Sequence, residues 1–467
     1  MKMWSGRFRQ ALDPEFERWQ RSFGFDRRLL KCEILASSAH ARALKTAGIL
    51  SSDELISILQ GLKQIGEKAA GSAEFLDDDE AEDVHHFVEK QLVALIGETG
   101  YKLHSGRSRN EQIATDLRLY VRAAIDQLRQ ELSDLCSVLV DRAERAADAA
   151  MPAYTHLQRA EPVLLGHWLL AFVEMFLRDA DRLADCRKRL NVCPLGSGAV
   201  AGATIALDRA FMADSLGFDG ATGNSIDATS DRDFALEFVN ALSLVALHLS
   251  RWAEEMILFS SQEYSFVILP EAYSTGSSAM PQKRNPDLLE LVRGKSAGIL
   301  GNATALMVAL KGLPLAYNKD LQETQKPLFD SSDTLMQMLP LATEWMKAVE
   351  FNEDRMSEAA QSGFMNAWAA ATYLVKRGVP SRLAHERIGK AVQMCMERGC
   401  ELQDLPLAEL QALSPAFDED FYESLKLASV LAVHDVAGGT APSRVRQAIA
   451  ITKQKIDSLR EEAHAHA

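Results

Sequence analysis

The chain has no Cys-x-x-Cys pair, no run of lysine and arginine, and no apolar run among its first residues. Its six cysteines (Cys32, Cys136, Cys186, Cys193, Cys395 and Cys400) are scattered through 467 residues. That excludes a disulfide scaffold and points to a reducing compartment. A missing basic run, with a net charge of −14, argues against nucleic-acid binding. The first residues, Met1-Lys2-Met3-Trp4-Ser5-Gly6-Arg7-Phe8, lack the apolar core of a secretory signal, and no stretch is expected to span a membrane. The expected location is therefore the cytoplasm. Strand-like alternation is rare, and no internal repeat or low-complexity tract is evident.

What remains is a helical, globular composition, 47% hydrophobic and 25% charged. The length predicts two or three domains. Residues 1–106 hold shorter helical segments broken by Gly and Asp clusters. Residues 107–350 hold the long ones. Residues 351–467 return to short helices and a loose tail, His464-Ala465-His466-Ala467. Between Ser108 and Ala150 there is neither Pro nor Gly. Ile113, Leu117, Val121, Ala124, Leu128, Leu132, Leu135 and Leu139 recur three and four apart, marking one apolar face. Further long helices are expected near 162–191, with Pro162 in the first turn, and near 231–262, 286–312 and 320–349. Five such helices make an all-α bundle rod. A rod of this kind cannot bury every apolar face alone, so association of several chains is expected.

Four polar clusters interrupt this pattern. Gly276-Ser277-Ser278-Ala279-Met280-Pro281-Gln282-Lys283-Arg284-Asn285-Pro286 combines small residues that let backbone close over a ligand with two hydroxyls, an ammonium and an amide. Pro286 suits the start of the next helix. This is an inventory for handling a carboxylate-bearing carbanion. The second cluster, His104-Ser105-Gly106-Arg107-Ser108-Arg109-Asn110-Glu111-Gln112, opens the longest helix, where arginines and free N–H groups favour anions. Plain capping by Ser105 or Ser108 is the alternative. The third is the loop with Thr155, His156 and Gln158. The fourth is Tyr317-Asn318-Lys319-Asp320-Leu321-Gln322-Glu323, suited to a zwitterion, or else a turn capped by Asp320. Glu82-Asp83-Val84-His85 has the Glu-x-x-His spacing of di-iron bundles, but the other copy, Glu461–His464, falls in the tail. No metal and no cofactor is expected. Arg109 and His156 are separated by the longest helix, roughly 60 Å at ~1.5 Å per residue. If both serve one small ligand, they come from different chains packed antiparallel.

Together these clusters resemble the argininosuccinate lyase family of the fumarase/aspartase superfamily, over essentially the whole chain. Trp4-Ser5-Gly6-Arg7-Phe8, Ser22 with Asp26, Glu82-Asp83-Val84-His85, Ser105-Gly106-Arg107-Ser108-Arg109-Asn110, Thr155-His156-Leu157-Gln158, Tyr317-Asn318-Lys319-Asp320 and Gly438-Gly439-Thr440-Ala441-Pro442 carry the likeness, beside the serine loop. The resemblance implies a homotetramer whose core is a twenty-helix bundle, five helices from each chain, with active sites shared between chains. It implies a cofactor-free carbon–nitrogen lyase that reversibly cleaves argininosuccinate to arginine and fumarate, the last step of arginine biosynthesis. Ser277 is then the base, Lys283 and Asn285 stabilise the carbanion, and His156, oriented by Glu290, protonates the leaving nitrogen. The Ser277 and His156 roles can also be argued in reverse. Ser22, Arg109, Asn110, Thr155, Asn285, Tyr317 and Gln322 are expected to hold substrate. Gln325 stands where the family has a substrate-holding lysine, and Lys326, one residue on, is the expected replacement. Glu161, Glu111 and the run Asn366-Ala367-Trp368-Ala369-Ala370 also depart from the family pattern. Adenylosuccinate lyase, fumarase, aspartase and a structural δ-crystallin are the alternatives.

Overall fold

The computed structural model describes residues 10–465, with side chains through residue 462. The Trp4–Phe8 motif and the side chain of His464 lie outside the described residues. Of the helices in the first part of the chain, three position the site: α1 (Leu30–Thr46), α2 (Val84–Ile96) and α3 (Arg109–Arg145). All eight apolar positions named from α3's periodicity are buried, Ile113 at 8% exposure and the rest at 3% or less, as one continuous stripe on a helix without Pro or Gly requires. At its N-terminus the Ser108 hydroxyl accepts from the Asn110 N–H, and the Ser108 N–H donates to Glu111. Those two bonds form a reciprocal cap.

After α3 the chain departs from expectation. Residues 150–164 form a hairpin, β1 (Ala150–Thr155) against β2 (Gln158–Leu164). Pro162 therefore sits in a strand, paired with Pro152, and not in a helix. Helix α4 (Leu165–Leu190) begins only afterwards. Helix α5 (Asp233–Ser260) follows. It is long and apolar enough to cross a membrane, which the sequence reading did not anticipate, and 61% of its most apolar window is buried. A helix inside a bundle meets apolar neighbours on most faces and passes the same test. Strands β3 (Thr275–Gly276) and β4 (Arg284–Asn285) pair across the serine loop. Helix α6 (Asp287–Leu310) starts directly after Pro286, and α7 (Gln325–Ala348) is preceded by a 3₁₀ turn, Lys319–Thr324. The residue before that turn is Asn318, so Asp320 is not its N-cap. A sixth long helix, α8 (Pro442–Ala465), occupies the region expected to hold short helices and a tail.

The described residues fall into two compact units. One takes residues up to Gln127 with Arg182–Ser243 and Gly298–Thr334. The other takes Leu128–Asp181, Leu244–Ala297 and the residues from Leu335 on. In the first, Phe23 stacks on Phe87 at 4.8 Å and Tyr120 meets Phe329 edge-on at 5.0 Å. In the second, the fully buried Trp252 and Trp345 meet edge-on at 5.3 Å. A separate apolar cluster there gathers Leu374, Ile388, Leu410, Phe417 and Phe421. All six cysteines are free thiols.

Candidate active site

In the first unit, a short turn carrying Ser22 and Asp26 is tied to the segment before α2. The N–H groups of Ser22 and Phe23 donate to the Glu82 carbonyl, and the Val84 N–H donates to Asp26 Oδ1 at 3.0 Å. Opposite lies the start of α3. Its loop turns at Gly106, with φ +66, where an added Cβ would press on Ile205 at 3.0 Å. Glu111, fully buried, accepts from the Gly198 N–H at 2.6 Å and so anchors the neighbouring loop. These elements and the Tyr317 segment enclose a cavity of about 140 Å³. Ser22, Arg109, Asn110, Tyr317 and Gln322 all line it, together with Asp26, Glu82, Asp83, His85, Lys319 and Gln325. Five of the expected substrate-holding residues thus meet in one place. Ala316, at φ +66, and the Asn318 amide, which donates to the Pro314 and Ala316 carbonyls, shape the turn that presents Tyr317.

Charge in this cavity is closely compensated. Arg109 Nη1 donates to Asp83 at 2.8 Å and to Glu82 at 3.2 Å. Burial opposes ionisation of Asp83, yet the Arg109 guanidinium holds its carboxyl below the ordinary range. Asp26 has the opposite fate. Burial, reinforced by the Asp83 charge, pushes its carboxyl up to about 7. Beneath it lies a buried network that sequence reasoning missed. His85 Nδ1 meets Glu33 at 2.8 Å and Asp116 at 3.8 Å. Glu33 also accepts from Ser37 and Gln112, and Arg107 lies 3.7 Å away. Burial opposes both charges, but the Glu33 carboxylate raises the imidazole, while His85 and Arg107 lower Glu33. Burial and the Glu33 charge push Asp116 well above the carboxylate range. Glu33, His85 and Asp116 bring ligand atoms within 4.8 Å of one another. Glu33 is already partnered by Arg107 and His85, which suits a structural network better than a cation site. The Glu-x-x-His motif does not act as a unit, since Glu82 faces Arg109 while His85 faces Glu33.

The second unit holds the other expected residues in two turns. His156 and Leu157 are the central residues of the β1–β2 hairpin, at φ 55 and 58. Positive φ at both marks a type I′ turn, at a cost of roughly 1 kcal/mol or more for each non-glycine residue. Thr155 and His156 are exposed at the tip. In the serine loop, Ser277 Oγ accepts from the N–H groups of Ala279 at 3.3 Å and Met280 at 3.1 Å. Asn285 Nδ2 reaches Thr275 at 3.4 Å, and Lys283 and Glu290 are exposed. Among the described residues, no hydrogen bond or ion pair joins His156 to Ser277, Lys283 or Glu290. Lys326 is exposed, with Nζ 5.5 Å from the Phe25 ring centroid, and does not line the cavity that Gln325 lines. Of the other departures, Glu161 lies 3.4 Å from His434, and Asn366 borders a larger cavity of about 400 Å³ with Pro162, Tyr422 and Leu425. That larger cavity contains none of the expected catalytic residues.

A family described as Lyase matches residues 6–301, and one described as Argininosuccinate lyase C-terminal matches residues 364–432. The argininosuccinate lyase of Koribacter versatilis is 59% identical over 467 residues, covering all of both chains. That of Acidobacterium capsulatum is 56% identical, over 98% of this chain and 96% of its own. Among solved structures, EDDS lyase in complex with formate superposes with a TM-score of 0.85 at 27% identity, over 98% of this chain and 93% of that one.

Proposed function

The chain belongs to the argininosuccinate lyase family of the fumarase/aspartase superfamily, and we propose that it cleaves argininosuccinate reversibly to arginine and fumarate by the serine-loop route. The observation that carries the reading is identity of 59% over the full length of the Koribacter versatilis enzyme. Ser277 removes the proton from the carbon beside a succinyl carboxylate. The two N–H groups already directed at its Oγ favour the alkoxide, as donors aimed at developing charge do. The electron pair passes into the carboxylate as an aci-form, held by Lys283 and Asn285. Its return forms the double bond of fumarate and breaks the carbon–nitrogen bond, while His156 delivers a proton to the departing guanidino nitrogen. Glu290 orients that imidazole. Ser22, Arg109, Asn110, Tyr317 and Gln322 hold the arginine portion, and Thr155 assists beside His156.

These residues serve one ligand in a homotetramer. Helix α3 has 37 residues, about 55 Å at ~1.5 Å per residue, and separates Arg109 from the hairpin of His156. Exposure of His156, Lys283 and Glu290 suits residues completed by another chain. Helix α6 leaves Leu291, Leu300, Met307 and Val308 exposed at 44–61%, and an apolar helix of this kind calls for a partner surface. The 107–350 segment supplies five helices to a twenty-helix core, flanked by segments 1–106 and 351–467. The scattered free thiols agree with a cytoplasmic enzyme. Fumarate release followed by ultraviolet absorbance tests the activity. Argininosuccinate should be consumed, and adenylosuccinate, malate and aspartate should not. Turnover of one of those three instead would overturn the assignment, and no turnover of any would favour a structural protein.

A further inference from the structure

Gln325, where the resemblance implies a substrate-holding lysine, is 4% exposed and leaves Oε1 buried without a hydrogen-bond partner. The cavity it lines still has to accept a zwitterion if the proposed reaction holds. Its acids are plentiful: Asp26, Glu82 and Asp83. Its cations are nearly all committed. Arg109 is paired with Glu82 and Asp83, and the His85 imidazole is paired with Glu33. Lys319 is the exception. It lines the same cavity, is exposed, and has no ion pair or hydrogen bond among the described residues.

Backbone geometry explains why Lys319 and not Lys326 is placed there. The segment Lys319–Thr324 is a 3₁₀ helix that runs into α7 at Gln325. With three residues per turn, side chains at i and i+3 eclipse. Lys319, Gln322 and Gln325 therefore form one row, and all three line the cavity. Lys326 falls roughly 100° off that row and meets Phe25 instead. The charge missing from the end of the row is present at its start.

We propose that Lys319 is the carboxylate-binding residue for the amino-acid head of the ligand, taking over the charge that Gln325 lacks, with Gln322 and Gln325 as neutral donors along the same row. The ligand class is an α-amino acid with a cationic side chain. Its ammonium is drawn to the acids and its carboxylate to Lys319. A cavity of about 140 Å³ holds such a head and leaves the rest of a larger substrate outside it.

The test compares L-arginine with agmatine, which lacks the carboxylate, by calorimetric titration of the intact enzyme. The parent should bind L-arginine at least tenfold more tightly. Lys319→Met should reduce that preference to threefold or less with little change for agmatine, and Lys319→Arg should retain it. Adding Gln325→Lys to Lys319→Met should restore at least fivefold preference. Should Lys319→Met fail to fold, Lys319→Gln provides the same comparison. The inference is overturned by a parent without preference, by a Lys319 variant that keeps it, by Gln325→Lys failing to restore it, or by Lys326→Met removing it as strongly. It rests on the proposed reaction, which fails separately: a parent that releases no fumarate from argininosuccinate defeats that reading whatever it binds.

Discussion

Replacing Asp26 with asparagine should flatten the dependence of stability on pH. Asp26 is 1% exposed, and its carboxyl is raised from 3.8 to about 7, by burial first and by the Asp83 charge second. The sign follows from proton counting. In the unfolded chain the carboxyl ionises near 3.8, whereas in the folded chain it keeps its proton until about 7. Between those values the folded state binds one more proton, so stability falls as pH rises and levels off above about 7. About three pH units at about 1.4 kcal/mol each make roughly 4 kcal/mol over the whole range, and roughly 3 kcal/mol of that lies between about pH 5 and about pH 8. Asparagine keeps the acceptor for the Val84 N–H and cannot ionise. Urea denaturation at fixed protein concentration, for parent and Asp26→Asn at both pH values, isolates the effect from other titrating groups. The variant should gain on the parent by roughly 3 kcal/mol from the lower to the higher pH. Parallel behaviour within about 0.5 kcal/mol would mean that Asp26 is ionised in the folded protein throughout, and the proposed burial effect would be wrong.

Ser277→Ala should lose nearly all fumarate release while sedimenting like the parent, because among the described residues its hydroxyl bonds only to N–H groups of its own loop; activity within a few-fold would remove Ser277 as the base. Mixing a His156 variant with a Ser277 variant by co-refolding should restore up to roughly a quarter of parental turnover if two chains build each site, and mixed tetramers without recovery would place both residues on one chain. Turnover should persist in chelator, since Arg107 and His85 already partner Glu33; activity lost in chelator and restored by a divalent ion would refute this.

The parts of the fold legible in the sequence are those set by long-range periodicity. Helices expected near 108–150, 231–262 and 286–312 appear as Arg109–Arg145, Asp233–Ser260 and Asp287–Leu310. The apolar repeat fixes such helices without reference to anything distant. The hairpin at 150–164 was illegible because its turn is His156-Leu157, where a type I′ turn ordinarily shows Asn-Gly. Pro162 then read as a helix start, although a strand at an edge tolerates proline equally well. Helix Pro442–Ala465 carried a start signal in Pro442 but was hidden by its weakly apolar face. Among the site residues, Ser22, Arg109, Asn110, Tyr317 and Gln322 were recognisable as short motifs, and they share one cavity. The Glu33–His85–Asp116 network was not recognisable, because partners 52 and 31 residues apart meet only through the packing of α1, α2 and α3.

The expectation at Lys326 is of another kind and has a physical lesson. Reading 320–349 as one α-helix makes a neighbour of the missing lysine the natural substitute, off by a single step of rotation. In a 3₁₀ turn the equivalent positions lie three residues apart, so a lost charge is sought at 322 or 319 before 326. The sequence contains no mark that distinguishes the two helix types there. The distinction arises from the approach to the turn: Ala316 at positive φ and the Asn318 amide folded back on two carbonyls begin the segment tightly wound, and α7 relaxes to the wider helix only at Gln325. The motif Tyr317-Asn318-Lys319-Asp320 therefore does more than supply polar groups. Its backbone sets which later side chains line the cavity, and a substitution at position 325 has to be judged along the row that this backbone creates.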